Sequence, residues 1–147
     1  MAFLLSYGRF KHMRLPFILF TVFMVVPTHI SAQKLSDYKW KHRIIILMNG
    51  ESPKVKEQLA LFTSLEKELA DRDLIILRYE DGKVLDGNSK TTDMDVNSIP
   101  YPDYNGLLLI GKDGGVKLKK PFVVVPNEVF ALIDSMPMRR AEMKNGS

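Results

Sequence analysis

LLLIGKDGGVKLKKPFVVVPNEVFALIDSMPMRR, residues 107–140, carries strand, tight turn, strand and helix in one continuous run. Residues 107–110 form an apolar strand covered on both faces, and Lys112, Asp113, Gly114 and Gly115 supply the aspartate and glycines that a tight hairpin needs. Val116, Lys117, Leu118 and Lys119 then alternate as an edge strand does. Pro126 stands at a helix start, Val129, Phe130, Leu132, Ile133 and Met136 recur as a buried stripe, and Pro137 ends it. The stretch carries no catalytic constellation, because turn chemistry accounts for Asp113 and its glycines.

Upstream, residues 43–48 (RIIILM) read as a strand buried on both faces, the best candidate for the middle of a sheet. Asn49 and Gly50 break it, and Ser52 before Pro53 is an N-cap followed by proline at the first helical position. Leu59, Phe62, Leu65 and Leu69 recur at helical spacing, with Lys56, Glu57, Lys67 and Glu68 on the other side, so an amphipathic helix runs from there to near Ala70. Asp71, Arg72 and Asp73 turn the chain into a second buried strand, LIIL at 74–77, that continues to Tyr79. Strand, helix, strand at this spacing is a βαβ unit. Residues 80–105, with Gly82, Gly87, Pro100 and Pro102, form an irregular excursion, long enough to be unusual in a compact domain. A short helix or an extra hairpin around Lys83, Val84 and Leu85 is expected within it. The order βαβ then ββα gives an α/β, thioredoxin-like arrangement: a central mixed sheet of about four strands with helices on both faces.

The first 32 residues read as an export signal. Arg9, Lys11 and Arg14 form a basic region with no acid near it, 15–26 (LPFILFTVFMVV) is an apolar run shorter than the roughly 20 residues of a membrane-spanning helix, and Ile30, Ser31 and Ala32 give a small-residue cleavage pattern. Cleavage after Ala32 is expected, leaving one domain over 33–147 with its core at about 39–143; an uncleaved N-terminal membrane anchor is the alternative. The chain has 21 Lys and Arg against 17 Asp and Glu. All three basic residues of the signal leave with it, so the mature charge falls to about +1, which lacks the basic surplus of a nucleic-acid-binding domain. Lys112, Lys117, Lys119 and Lys120 read as a solvated sheet edge. The chain has no cysteine, so disulfides, lipoprotein acylation and thiol chemistry are all closed to it.

Leu109 to Lys117 (LIGKDGGVK) and Phe130 to Arg140 (FALIDSMPMRR), with Trp40, Lys41, His42 and Arg43 before the first strand, resemble domain of unknown function 4174. This thioredoxin-like, peroxiredoxin-related group occurs in exported bacterial proteins and at the ends of some vertebrate extracellular-matrix proteins. The resemblance covers roughly residues 39–143 and is weakest over 81–105. It implies a fold but no established activity. Redox-active relatives of the scaffold carry a cysteine after the first strand, where Asn49, Gly50, Glu51 and Ser52 stand here, so thiol exchange and peroxide reduction are excluded. Pro102 is the candidate match for a proline that is often cis in thioredoxins.

Other chemistry is sparse. His12 and His29 lie in the signal, leaving His42 alone, too few ligands for zinc and no basis for a Ser-His-Asp triad. Asp93, Asp95 and Asn97 have the spacing of a calcium loop, but Ser98 and Tyr104 stand where glycine and a bidentate glutamate belong. Ser52 and the first N–H groups of the helix could hold a small anion, although an ordinary helix cap explains them equally. Tyr38 and Trp40 are expected to fold back on the domain surface. Met136, Met138, Arg139 and Arg140 could clasp another surface. No catalytic residue, cofactor or metal is expected; the candidate binding residues are Asn49, Ser52, Asp113, Arg139 and Arg140. The leading expectation is an exported, non-catalytic module that binds an envelope or extracellular protein through the excursion and the helix-start face. An enzyme of cysteine-free mechanism using carboxylates such as Glu51 and Asp113 is the alternative, and a structural or stress-protective protein a third class.

Overall fold

The computed structural model describes residues 32–49 and 53–146. The export segment up to residue 31, and the roles expected of Gly50, Glu51 and Ser52, therefore lie outside the described residues. The described residues belong to one compact unit, Ser31–Ser147. Its elements run β1 (Arg43–Met48), α1 (Pro53–Thr63), α2 (Glu66–Asp71), β2 (Leu74–Glu80), β3 (Lys83–Asp86), β4 (Gly106–Ile110), β5 (Val116–Lys120), α3 (Pro126–Ser135) and α4 (Pro137–Asn145), with 3-10 helices at Leu35–Tyr38 and Val96–Ser98. The sheet has five strands in the order β3-β2-β1-β4-β5, one more than the four read from the sequence. The additional strand is β3, which falls where Lys83, Val84 and Leu85 suggested a hairpin and pairs antiparallel with β2.

β1 is central because each of its six residues is buried, which a strand with helices or loops over both faces requires. It pairs parallel with β2 and antiparallel with β4, so the sheet is mixed. One face packs Ile45, Leu47, Leu107 and Leu109 against Val55, Phe62, Val129, Phe130 and Ile133 of α1 and α3. The other packs Ile44, Ile46, Met48, Leu108 and Ile110 under Met94, Ile99, Leu35 and Tyr38. Both faces thus carry helical segments, but unequally: α-helices on one, 3-10 helices and coil on the other. The excursion is therefore the second layer of the core and not a free loop. It is tied down where Asp95 N–H donates to Gln33 O at 2.8 Å and Thr92 N–H to Val84 O at 2.8 Å.

Two helices differ from expectation. The first breaks after Thr63, where Leu65 N–H donates to Phe62 O at 2.9 Å, and resumes as α2. Pro137 ends α3 but also starts α4, because a proline at the first helical position loses no intrahelical bond. Pro102 carries no cis bond; a cis bond occurs at Phe122–Val123. Gly106 opens β4 at φ 151°, and a Cβ there would lie 2.8 Å from the Tyr104 ring and against the Lys120 carbonyl, so a glycine is required.

Candidate binding site

At the end of the sheet where β1 begins and β4 finishes, charged side chains fasten α4 to the strands. Arg43 is 1% exposed. Its Nη1 donates to Arg72 O at 2.9 Å and to Glu142 Oε2 at 3.1 Å, and its Nη2 to Glu142 Oε1 at 3.2 Å, a bidentate pair. Lys112 Nζ donates to Asp73 Oδ2 at 2.7 Å and to Glu142 Oε1 at 2.8 Å. Beside them Arg139, also buried, donates from Nη1 to Asp71 O at 2.7 Å and from Nε to Asp134 Oδ1 at 3.2 Å, and pairs with the Asp71 carboxylate. Arg72 donates to the same Asp134 at 3.0 and 2.7 Å.

The titration of these groups follows from their partners. The hydrogen bond from Lys112 holds Asp73 below the usual carboxylate range. Burial opposes ionisation of Glu142, but the bonds from Lys112 and Arg43 outweigh it and hold it low as well. Burial likewise opposes ionisation of Asp134, and Arg72 and Arg139 overcome it. Burial disfavours the charge on Lys112, yet Asp73 and Glu142 leave it above the ordinary lysine value.

Over this network lies a groove of about 270 Å³. Gly111, Asp113 and Lys117 line it from the β4–β5 hairpin, and Met136, Pro137 and Met138 from the corner between α3 and α4. Arg43 and Lys112 complete the lining with their charges already engaged below. Asp113 accepts from Lys117 Nζ at 2.5 Å and from Gly115 N–H at 3.1 Å, and both lower its pKa, Lys117 the more. An acid held ionised in this way is a poor proton donor at neutral pH. What the groove offers a ligand is thioether and proline surface with one ion pair at its rim.

The structure thus brings Asp113 to the Met136–Met138 corner and gives Arg139 a structural reason for its charge, as the bridge from α4 to Asp71 and Asp134. Arg140 is exposed on α4. Asn49 lies at the opposite end of β1, roughly 20 Å from Arg43 at strand spacing. Its φ is 63°, and its Nδ2 donates to Tyr104 O at 3.0 Å. Near it Lys119 Nζ sits 4.2 Å from the Tyr101 ring centre and 4.5 Å from that of Tyr104. Asn49 and Asp113 therefore do not share a site. Asp95 caps the 3-10 helix Val96–Ser98, and no cluster of three or more His, Asp or Glu able to hold a metal occurs among the described residues. Tyr38 packs on the core, whereas the Trp40 side chain is exposed, the residue being 67% exposed, and its backbone N–H donates to Lys112 O at 2.7 Å.

The Arg43–Glu142–Lys112 network is what the sequence hid. Arg43 and Lys112 flank apolar strands and so could be placed at strand ends, but Glu142 lies in a segment whose helix is not legible without the fold.

Sheet, helices and groove define a small mixed α/β module with an internally neutralised sheet end. The chain belongs to the family described as domain of unknown function DUF4174, whose model matches residues 34–142. It is also similar to coiled-coil domain-containing protein 80 of Danio rerio, 29% identical over 133 residues, which covers 74% of this chain and 15% of the relative. The chain thus corresponds to a small part of that protein. No solved structure matches.

Proposed function

We propose that this chain is an exported, non-catalytic binding module on a thioredoxin-like scaffold, and that it engages an envelope or extracellular protein at the groove between the β4–β5 hairpin and the α3–α4 corner. The occupant is an apolar side chain of that partner, set between Met136 and Met138. The observation that carries this reading is that, among the described residues, every ionisable side chain lining the groove is already paired: Arg43 and Lys112 with Glu142, and Lys117 with Asp113. Charges already compensated by a partner suit a rigid wall better than acid–base work. The scaffold assignment is supported by the parallel β1–α1–β2 unit followed by the antiparallel β4–β5 hairpin and α3.

Export rests on the basic, apolar and small-residue order of the first 32 residues. The mass of the protein recovered outside the cytoplasm should correspond to a chain starting at Gln33; recovery only as the full-length chain in the membrane fraction would favour the anchor. For the groove, Met138→Asp should abolish capture of the partner without changing the melting temperature, since Met138 is on the surface. Undiminished capture by that variant would remove the groove from the account.

A further inference from the structure

The outer edge of β2 is only half used. β3 pairs with β2 over Leu77 to Glu80 and goes no further. Asp86 turns the chain away there: its Oδ1 accepts from the N–H groups of Asn88 and Lys90 at 2.9 Å each, and its own N–H donates to Lys90 O at 2.9 Å. The direction of the remaining backbone groups follows from the ladder. Arg43 N–H donates to Asp73 O and Asn49 N–H to Tyr79 O, so the odd-numbered residues of β2 face β1. Leu74 and Ile76 must then turn their N–H and C=O groups outward, as Arg78 and Glu80 do to meet β3. No strand lies opposite Leu74 or Ile76 among the described residues, although Gly87, just past the end of β3, approaches the Ile76 carbonyl oxygen. The two instead border a cavity of about 460 Å³, with Glu66 and Leu69 on the α2 side and Tyr38 and Thr92 on the other.

We propose that this notch docks an extended peptide segment of a partner protein, which adds to β2 as a short strand in line with β3. The outward N–H and C=O of Leu74 and the outward N–H of Ile76, spaced along a strand edge, are complementary to an extended backbone. The apolar flank at Leu69 calls for an apolar residue on the guest. Among the described residues that line it, the carboxylates are Glu66 and Asp86 and there is neither lysine nor arginine, so the guest carries basic residues beside its apolar ones. A second copy of this chain fits less well, because the short notch is closed at one end by the Asp86 turn. The inference stands on different atoms from the groove reading and survives or fails apart from it.

The test uses the protein as purified from the cells that make it and the probe acetyl-Lys-Val-Leu-Val-Lys-amide, followed by amide hydrogen exchange in NMR. Saturating peptide should slow exchange at Leu74 and Ile76 at least about tenfold, while N-methylation of one alternate set of peptide amides abolishes binding and methylation of the other set leaves it intact. Replacing both lysines of the peptide by glutamate, or Glu66→Lys in the protein, should weaken binding about threefold. Equal binding by the two methylated peptides, or none at millimolar concentration, would overturn the proposal. So would protection of both amides before peptide is added: concentration-independent protection would mean that the chain covers its own edge, and protection rising with protein concentration that a second copy does.

Discussion

Gln58 lies on the same face of α1 as Val55 and Phe62 and is fully buried. Its Nε2 donates to Val124 O at 2.8 Å, and its Oε1 accepts from Val124 N–H at 2.6 Å, so one side chain satisfies both backbone groups of a residue in the coil before α3. Removing it strands two buried polar groups, each worth about 1–3 kcal/mol when left unpaired. Gln58→Ala should therefore cost about 3 kcal/mol in urea unfolding. A loss under about 1 kcal/mol would mean that water or a backbone shift restores the bonds. The position was partly legible: helical spacing from Val55 and Phe62 puts residue 58 on the buried face. Its polar identity hid the fact, because the partner is a backbone 66 residues away.

At the scale of elements, α4 is held mainly by charge. Arg139 is its buried residue, and Glu142 reaches back to Arg43 and Lys112. Glu142→Gln leaves the buried Arg43 guanidinium, whose Nε already lacks a partner among the described residues, without its carboxylate, and should cost about 3 kcal/mol. Arg43→Met combined with Glu142→Gln should cost less than the sum of the two single changes, because Glu142→Gln alone leaves the buried Arg43 charge without its carboxylate, and in the double change that charge is gone, while Lys112 keeps Asp73. Additive losses in a double-mutant cycle would show that the pair does not couple. The strands were readable because β1, β2 and β4 are apolar runs and β5 alternates. β3 was half visible in Lys83, Val84 and Leu85, since a four-residue strand with one buried residue carries little pattern. α4 was not visible: Pro137 looks like a stop, and PMRRAEMKN has no apolar stripe, its attachment being ionic.

For the whole molecule, the carboxylates Asp73, Asp134 and Glu142 are all held low by cations at the same end of the sheet. A group whose folded pKa is depressed contributes stability in full above its unfolded pKa, near about 4, and loses it as pH falls through the folded value. Stability should thus be level near neutrality and decline below about pH 4, and Glu142→Gln should make that decline shallower. Identical acid limbs for the two proteins would separate Glu142 from acid stability. Neutralising this end internally also fixes the wall of the groove, which joins stability to the proposed function. The most direct measurement of that function is site-specific photo-crosslinking from position 138 and, at the other end of β1, from position 49, in cells that produce the protein. The account predicts one defined cross-linked partner from position 138 and none from position 49. A partner trapped from position 49 alone, or the same products from both positions, would contradict it.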